Sequence, residues 1–136
     1  MRRVLAVLLC AAAPAALAGA PADLLRDYEA QARRGDPGFA GASPARGAEL
    51  YRRSGIASAG PEAGCASCHS PDPRWPGRHG RTGKPIAPLA PAANPERLAD
   101  PAQAEKWFRR NCRDVLAREC TAQEKADFVR FLIEAK

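Results

Sequence analysis

The sequence predicts an all-α fold. Apolar residues recur at helical spacing in several segments, no run alternates apolar and polar residues as a half-buried strand does, and stretches rich in proline and glycine separate the segments. There is no internal repeat. One pentapeptide, Cys65-Ala66-Ser67-Cys68-His69, adds a chemical constraint to this pattern.

The chain opens with Arg2 and Arg3, an apolar run from Val4 to Ala13, and Ala16-Leu17-Ala18, an Ala-x-Ala cleavage site. This pattern predicts a signal peptide over 1–18, export to the periplasm, and cleavage near Ala18. The apolar run is too short to span a bilayer. Removing 18 residues from 136 leaves 118, the size of one domain. The signal takes Cys10 with it, so four of the five cysteines remain: Cys65, Cys68, Cys112 and Cys120.

Asp23 to Arg34 carries Leu24, Leu25, Tyr28 and Ala32 at helical spacing and is stopped by Gly35 and Pro37. Ser43 is a suitable N-cap with Pro44 at the first helical position. The helix it opens aligns Gly47, Leu50, Tyr51 and Ser54, and the bare Gly47 would let another helix cross closely. The chain thus divides into the signal, an N-terminal extension over 19–42 with one helix, and a main domain over 43–136.

Cys-x-x-Cys-His is the attachment sequence of a c-type haem. The two thiols add across two vinyl groups of the porphyrin, and the adjacent imidazole falls beneath the iron. A zinc site would need a second short knuckle, which the spacing of Cys112 and Cys120 does not give. A thioredoxin-like pair would need a βαβ pattern, which is missing. One covalent haem c, held by Cys65, Cys68 and His69, is therefore expected.

Between His69 and Asp100 the chain is dense in proline and poor in long apolar side chains. Such a stretch wraps on something or stays unstructured, and a haem supplies the missing surface. Asp100-Pro101 caps a short helix carrying Trp107 and Phe108 and ending near Asn111. Thr121 and Glu124 form a capping box for a last helix, whose Phe128, Phe131, Leu132 and Ala135 make a core-facing stripe. In an oxidising compartment a Cys112–Cys120 disulfide is the default. A straight helix would hold positions eight apart at ~12 Å, beyond disulfide reach, so the chain must bend between Asn111 and Thr121.

The order of helix, Cys-x-x-Cys-His, proline-rich loop and C-terminal helix over 43–136 resembles the class I cytochromes c. There the first and last helices cross at a glycine and an aromatic, here Gly47, Tyr51 and Phe128 or Phe131. Ordinary members carry methionine opposite the histidine, but the one methionine of this chain is Met1, in the signal. His79, Lys84, Lys106, Asn94, Asn111 or an open position remain for the sixth ligand. Trp107-Phe108-Arg109-Arg110-Asn111-Cys112, with Cys120, resembles the asparagine-ligated, oxygen-binding cytochromes c of the sphaeroides haem protein type. Gly83-Lys84-Pro85-Ile86-Ala87-Pro88-Leu89 is similar to that family's proline-rich loop. The resemblance implies Asn111 as a weak sixth ligand that leaves on reduction and a supporting Cys112–Cys120 bridge; Trp107, one helical turn before Asn111, and Phe108 would wall the pocket. The resemblance also implies O₂ or NO as a diatomic ligand. A carbonyl in the 83–88 loop would accept the proton of the second His69 nitrogen.

With Arg2 and Arg3 gone, 19 basic residues face 15 acidic ones, a net +4 that two propionates bring to about +2. Arg109, Arg110 and Arg113 would meet the propionates or an acidic redox partner, another c-type or a membrane b-type cytochrome. Nothing suggests nucleic acid, and a monomer is expected. The sequence favours an electron-transfer or ligand-binding protein over an enzyme, with reduction of the diatomic ligand as the enzymatic outcome. The alternative is a low-spin electron carrier ligated by His69 and His79; a sensor without turnover is a third reading.

Overall fold

The computed structural model describes residues 20–54 and 64–136. The expected signal over 1–18 lies outside them. Five helices follow in order: α1 (Ala20–Gly35), α2 (Pro44–Arg52), α3 (Cys65–His69), α4 (Pro101–Leu116) and α5 (Ala122–Glu134). Between α3 and α4 two short strands, β1 (Gly77–Arg78) and β2 (Pro85–Ile86), pair antiparallel, with Gly77 opposite Ile86 and Arg78 opposite Pro85. Two-residue strands are too short to show the alternation that marks a strand in sequence.

The crossing of α2 and α5 organises the molecule. A Cβ placed on Gly47 would lie 2.1 Å from the Asp127 carbonyl oxygen and 2.8 Å from Phe131 Cβ, so only glycine permits this approach. Tyr51, one turn further along α2, inserts between Phe128 and Phe131, with ring centroids 6.1 and 5.4 Å away. Beside the crossing, the buried carboxylate of Asp127 accepts hydrogen bonds from Ser43 N at 2.6 Å, Arg46 Nε at 2.7 Å and Arg46 Nη2 at 2.8 Å. A buried acid is tolerable when its lone pairs are so filled. Ser43 itself caps α2, its side chain accepting from Arg46 N.

The α1 helix packs its Leu24, Leu25, Tyr28 and Ala32 face into one cluster with Phe39, Ala104, Ala126 and Val129. The Tyr28 hydroxyl donates to Glu105 on α4 at 3.0 Å, and Lys125 on α5 donates to the same carboxylate at 2.7 and 2.9 Å. One acid thus ties three helices together.

Asp100 caps α4 by accepting from the N–H groups of Ala102 and Gln103. The helix does not end near Asn111 as its sequence suggests. It runs to Leu116, because Cys112, Val115 and Leu116 continue the apolar stripe, and it closes where Ala117 turns left-handed at φ 57°. The bend required between Asn111 and Thr121 is there, after Leu116. It brings Cys112 and Cys120 into a disulfide with Cα atoms 5.6 Å apart.

Thr121 and Glu124 form their capping box, and Arg118 donates to Glu124 at 2.7 and 2.8 Å. The Arg118 hydrogen bonds hold the Glu124 carboxyl below its ordinary range, with the cap contacts adding to them. A carboxyl depressed in the folded state contributes stability above its unfolded pKa and loses it as the pH falls through the folded value. The melting temperature is therefore expected to hold from neutrality to about pH 5 and to fall below about pH 4. Glu124→Gln should flatten part of that fall, as read by circular dichroism melts across pH.

Candidate haem site

The Cys65–His69 turn is α3, set against α2 and β1. Gly64 precedes it and bridges to Ser54 at the end of α2, and a Cβ there would lie 2.5 Å from the Arg53 carbonyl oxygen. Ser67 closes the turn, its hydroxyl accepting from Gly64 N at 3.1 Å and donating to Gly64 O at 2.7 Å. One helical turn presents Cys65, Cys68 and His69 together. Both thiols are free and half-buried. Burial pushes the Cys65 thiol up to about 11, an environment that suits an uncharged sulfur such as a thioether better than a thiolate.

Burial pulls His69 down to about 4, helped by the nearby Arg97 charge, so the imidazole is neutral at working pH, the form that binds metal. Its Nδ1 is buried and has no hydrogen-bond partner among the described residues. A neutral, under-satisfied imidazole beside two free thiols fits a covalently attached haem. Among the described residues no three His, Cys, Asp or Glu side chains group closely enough for another metal centre.

The 83–88 loop does not provide the carbonyl expected for His69. Pro88 O is occupied, accepting from Arg97 Nε at 2.9 Å and Asn94 Nδ2 at 3.3 Å, and Ala87 O accepts from Arg97 Nη2 at 3.1 Å. Arg97, which no sequence pattern singles out, therefore both ties down this loop and sets the charge near the imidazole. Its own burial lowers its pKa.

Trp107, Asn111 and Cys112 lie on α4. Trp107 and Asn111 are one turn apart and share a side of the helix, flanking the stripe of Ala104, Phe108 and Cys112. Trp107 is 40% exposed, with the Arg110 guanidinium 5.7 Å above its ring. Asn111 is half-buried, and its carboxamide has no hydrogen bond among the described residues. The adjacent disulfide anchors its backbone to the start of α5. The structure brings Asn111 together with Trp107 and the bridge, and it brings Cys65, Cys68 and His69 together.

Lys106, Arg109, Arg110 and Arg113 project from the outward face of α4, opposite its core stripe, around a shallow groove that Asp114 completes. Arg113 pairs with Glu119 at 2.5 Å and Arg110 with Asp114 at 3.8 Å.

His79 sits in the β1–β2 turn. Its Nδ1 accepts from the N–H groups of Arg81 and Thr82, each at 3.3 Å. The hairpin lies against the backbone of α3: a Cβ on Gly77 would be 2.0 Å from the Cys68 carbonyl oxygen, and one on Gly80 would be 3.7 Å from Cys68 Sγ. His79 is thus held on the side of the molecule that carries His69. Among the described residues no helix is long and apolar enough to cross a membrane.

Comparison with known proteins agrees with this geometry. Residues 37–132 match the family described as a domain of unknown function (DUF1924). The cytochrome c-type protein SHP of Cereibacter sphaeroides is 42% identical over 97% of this chain and 98% of its own length. Cytochrome c'' of Methylophilus methylotrophus is 35% identical over 81% of this chain and 76% of its own. Among solved structures, oxidized cytochrome c'' superposes with a TM-score of 0.79 at 33% identity, covering 86% of this chain and 95% of that one. Oxidized SHP, described as an oxygen-binding cytochrome c, gives 0.71 at 43% identity, covering 84% and 96%. A near full-length match at that identity, on a helical fold with the Cys-x-x-Cys-His turn in place, shows that the chain belongs to the SHP family of c-type cytochromes.

Proposed function

We propose that this protein is an exported class I cytochrome c with one haem, which accepts an electron and then binds a diatomic ligand, O₂ or NO, at a coordination position that Asn111 vacates. When bound, the haem supplies an iron that cycles between ferric and ferrous states and takes such ligands when ferrous. Cys65 and Cys68 would attach it as thioethers, and His69 would give a neutral ring nitrogen to the iron as its permanent protein ligand. Asn111 offers a neutral carboxamide. Its dipole would be attracted more strongly to a ferric charge than to a ferrous one, so it would hold on in the oxidised protein and let go on reduction. Trp107 shields that side from water. Lys106, Arg109, Arg110 and Arg113 face outward beside it, which suits them to an acidic redox partner better than to the propionates.

The observation that carries this reading is the Asn111 carboxamide, without a hydrogen bond among the described residues and one residue from a disulfide that fixes its backbone. The description of the related SHP as oxygen-binding supports it. The rival, with His79 opposite His69, requires the hairpin to leave α3 and His79 to give up the two N–H groups of its turn.

Reduction with dithionite followed by carbon monoxide tests the reading. A high-spin ferrous spectrum that shifts on adding CO is expected. A low-spin ferrous spectrum with sharp α and β bands, unmoved by CO, would overturn it.

A further inference from the structure

A cytochrome that releases one axial ligand must keep the other, and the backbone around His69 is held in a way the haem motif does not require. Tyr51 on α2 is fully buried, at 0% exposure. Its hydroxyl lies 3.0 Å from the His69 carbonyl oxygen and 2.5 Å from that of Ser70. A phenol has one proton to donate, so two consecutive carbonyls share it. Packing alone does not call for this hydroxyl: between Phe128 and Phe131 a phenylalanine would fill the same space.

Ser70 has φ 70° and ψ 153°, backbone angles almost confined to glycine. Such a conformation persists only where its surroundings impose it. Here Tyr51 binds its carbonyl, while its own hydroxyl donates to Asp72 O at 3.1 Å and accepts from Asp72 N at 3.3 Å. Gly77 presses on the same stretch, since a Cβ there would meet His69 Cα at 2.6 Å.

We infer that Tyr51 is a positioning residue for the permanent axial ligand: its hydroxyl fixes the carbonyls of His69 and Ser70, and so keeps the imidazole seated while the opposite ligand comes and goes. The inference rests on His69 as axial ligand.

The test uses the haem-loaded protein carrying Tyr51→Phe. Nitric oxide bound to ferrous haem weakens the bond opposite it, so a loosely held histidine leaves and the paramagnetic resonance spectrum changes from six- to five-coordinate. Losing one buried hydrogen bond should raise the five- to six-coordinate ratio roughly 3- to 10-fold, and the ferrous iron–histidine Raman band should shift. A ratio and band equal to wild type overturn the inference. Phe128→Leu is the packing control: it should lower the melting temperature and leave the ratio alone, and an equal rise in that variant also overturns the role of the hydroxyl. If Tyr51→Phe fails to take up haem, the Tyr51→Phe, Ser70→Gly double variant replaces it, because glycine adopts these angles freely; the same outcomes decide. Failure of the underlying reading shows separately, as the absence of an iron–histidine band in the wild type.

Discussion

Asn111→Ala is expected to remove the low-spin component of the ferric spectrum and to leave CO binding by the reduced protein intact. The carboxamide is the only change, and alanine keeps the helix. If asparagine binding favours the ferric state by about tenfold, its loss raises the one-electron potential by about 60 mV. The direction follows from charge: a dipolar ligand that prefers the ferric ion lowers the potential while it is bound. Absorption spectroscopy and redox titration of the two proteins check both effects. A ferric spectrum indifferent to Asn111→Ala, or one altered by His79→Ala alone, would assign the sixth position elsewhere.

The largest effect on stability is expected at Gly47. Alanine there places a methyl carbon 2.1 Å from the carbonyl oxygen of Asp127, a backbone atom that no side-chain rotation can move. The two helices must separate, which also strains the bonds of Ser43 and Arg46 to Asp127 and the seat of Tyr51 between two phenylalanines. Overpacking that propagates in this way falls at the severe end of single substitutions, on the order of 3–5 kcal/mol. The midpoint of thermal unfolding should drop by 10 °C or more, on the order expected for a domain of this size. A drop of less than about 2 °C would mean that the crossing is looser than its geometry.

The sequence was most legible where one residue type has one physical use. Gly47 at a helix crossing, Ser43 and Pro44 opening a helix, Thr121 with Glu124, and the haem motif all had recognisable local chemistry. The Cys112–Cys120 bridge followed from counting the cysteines left in a chain expected to be exported. The end of α4 was misjudged because its last turn is held by contacts distant in the chain. The β1–β2 pairing was invisible for want of length. Arg97 and the Tyr51 hydroxyl escaped because their partners are backbone carbonyls 10 and 18 residues away, and no side-chain pattern marks such acceptors. Asp127 carried an unused signal, a lone acid within an apolar stripe, where burial demands cationic or N–H partners.

The disulfide at the end of α4 has a consequence for speed. It joins the last turns of that helix to the start of α5, one residue beyond Asn111. If Asn111 holds the iron as proposed, its pinned backbone would leave the carboxamide only rotation about its own side-chain bonds as a way off the metal. Such rotations take picoseconds to nanoseconds, whereas displacing a helix takes microseconds to milliseconds. Entry of a gas molecule after reduction would then be timed by breaking the iron–amide bond, with no slower opening of the protein in the way.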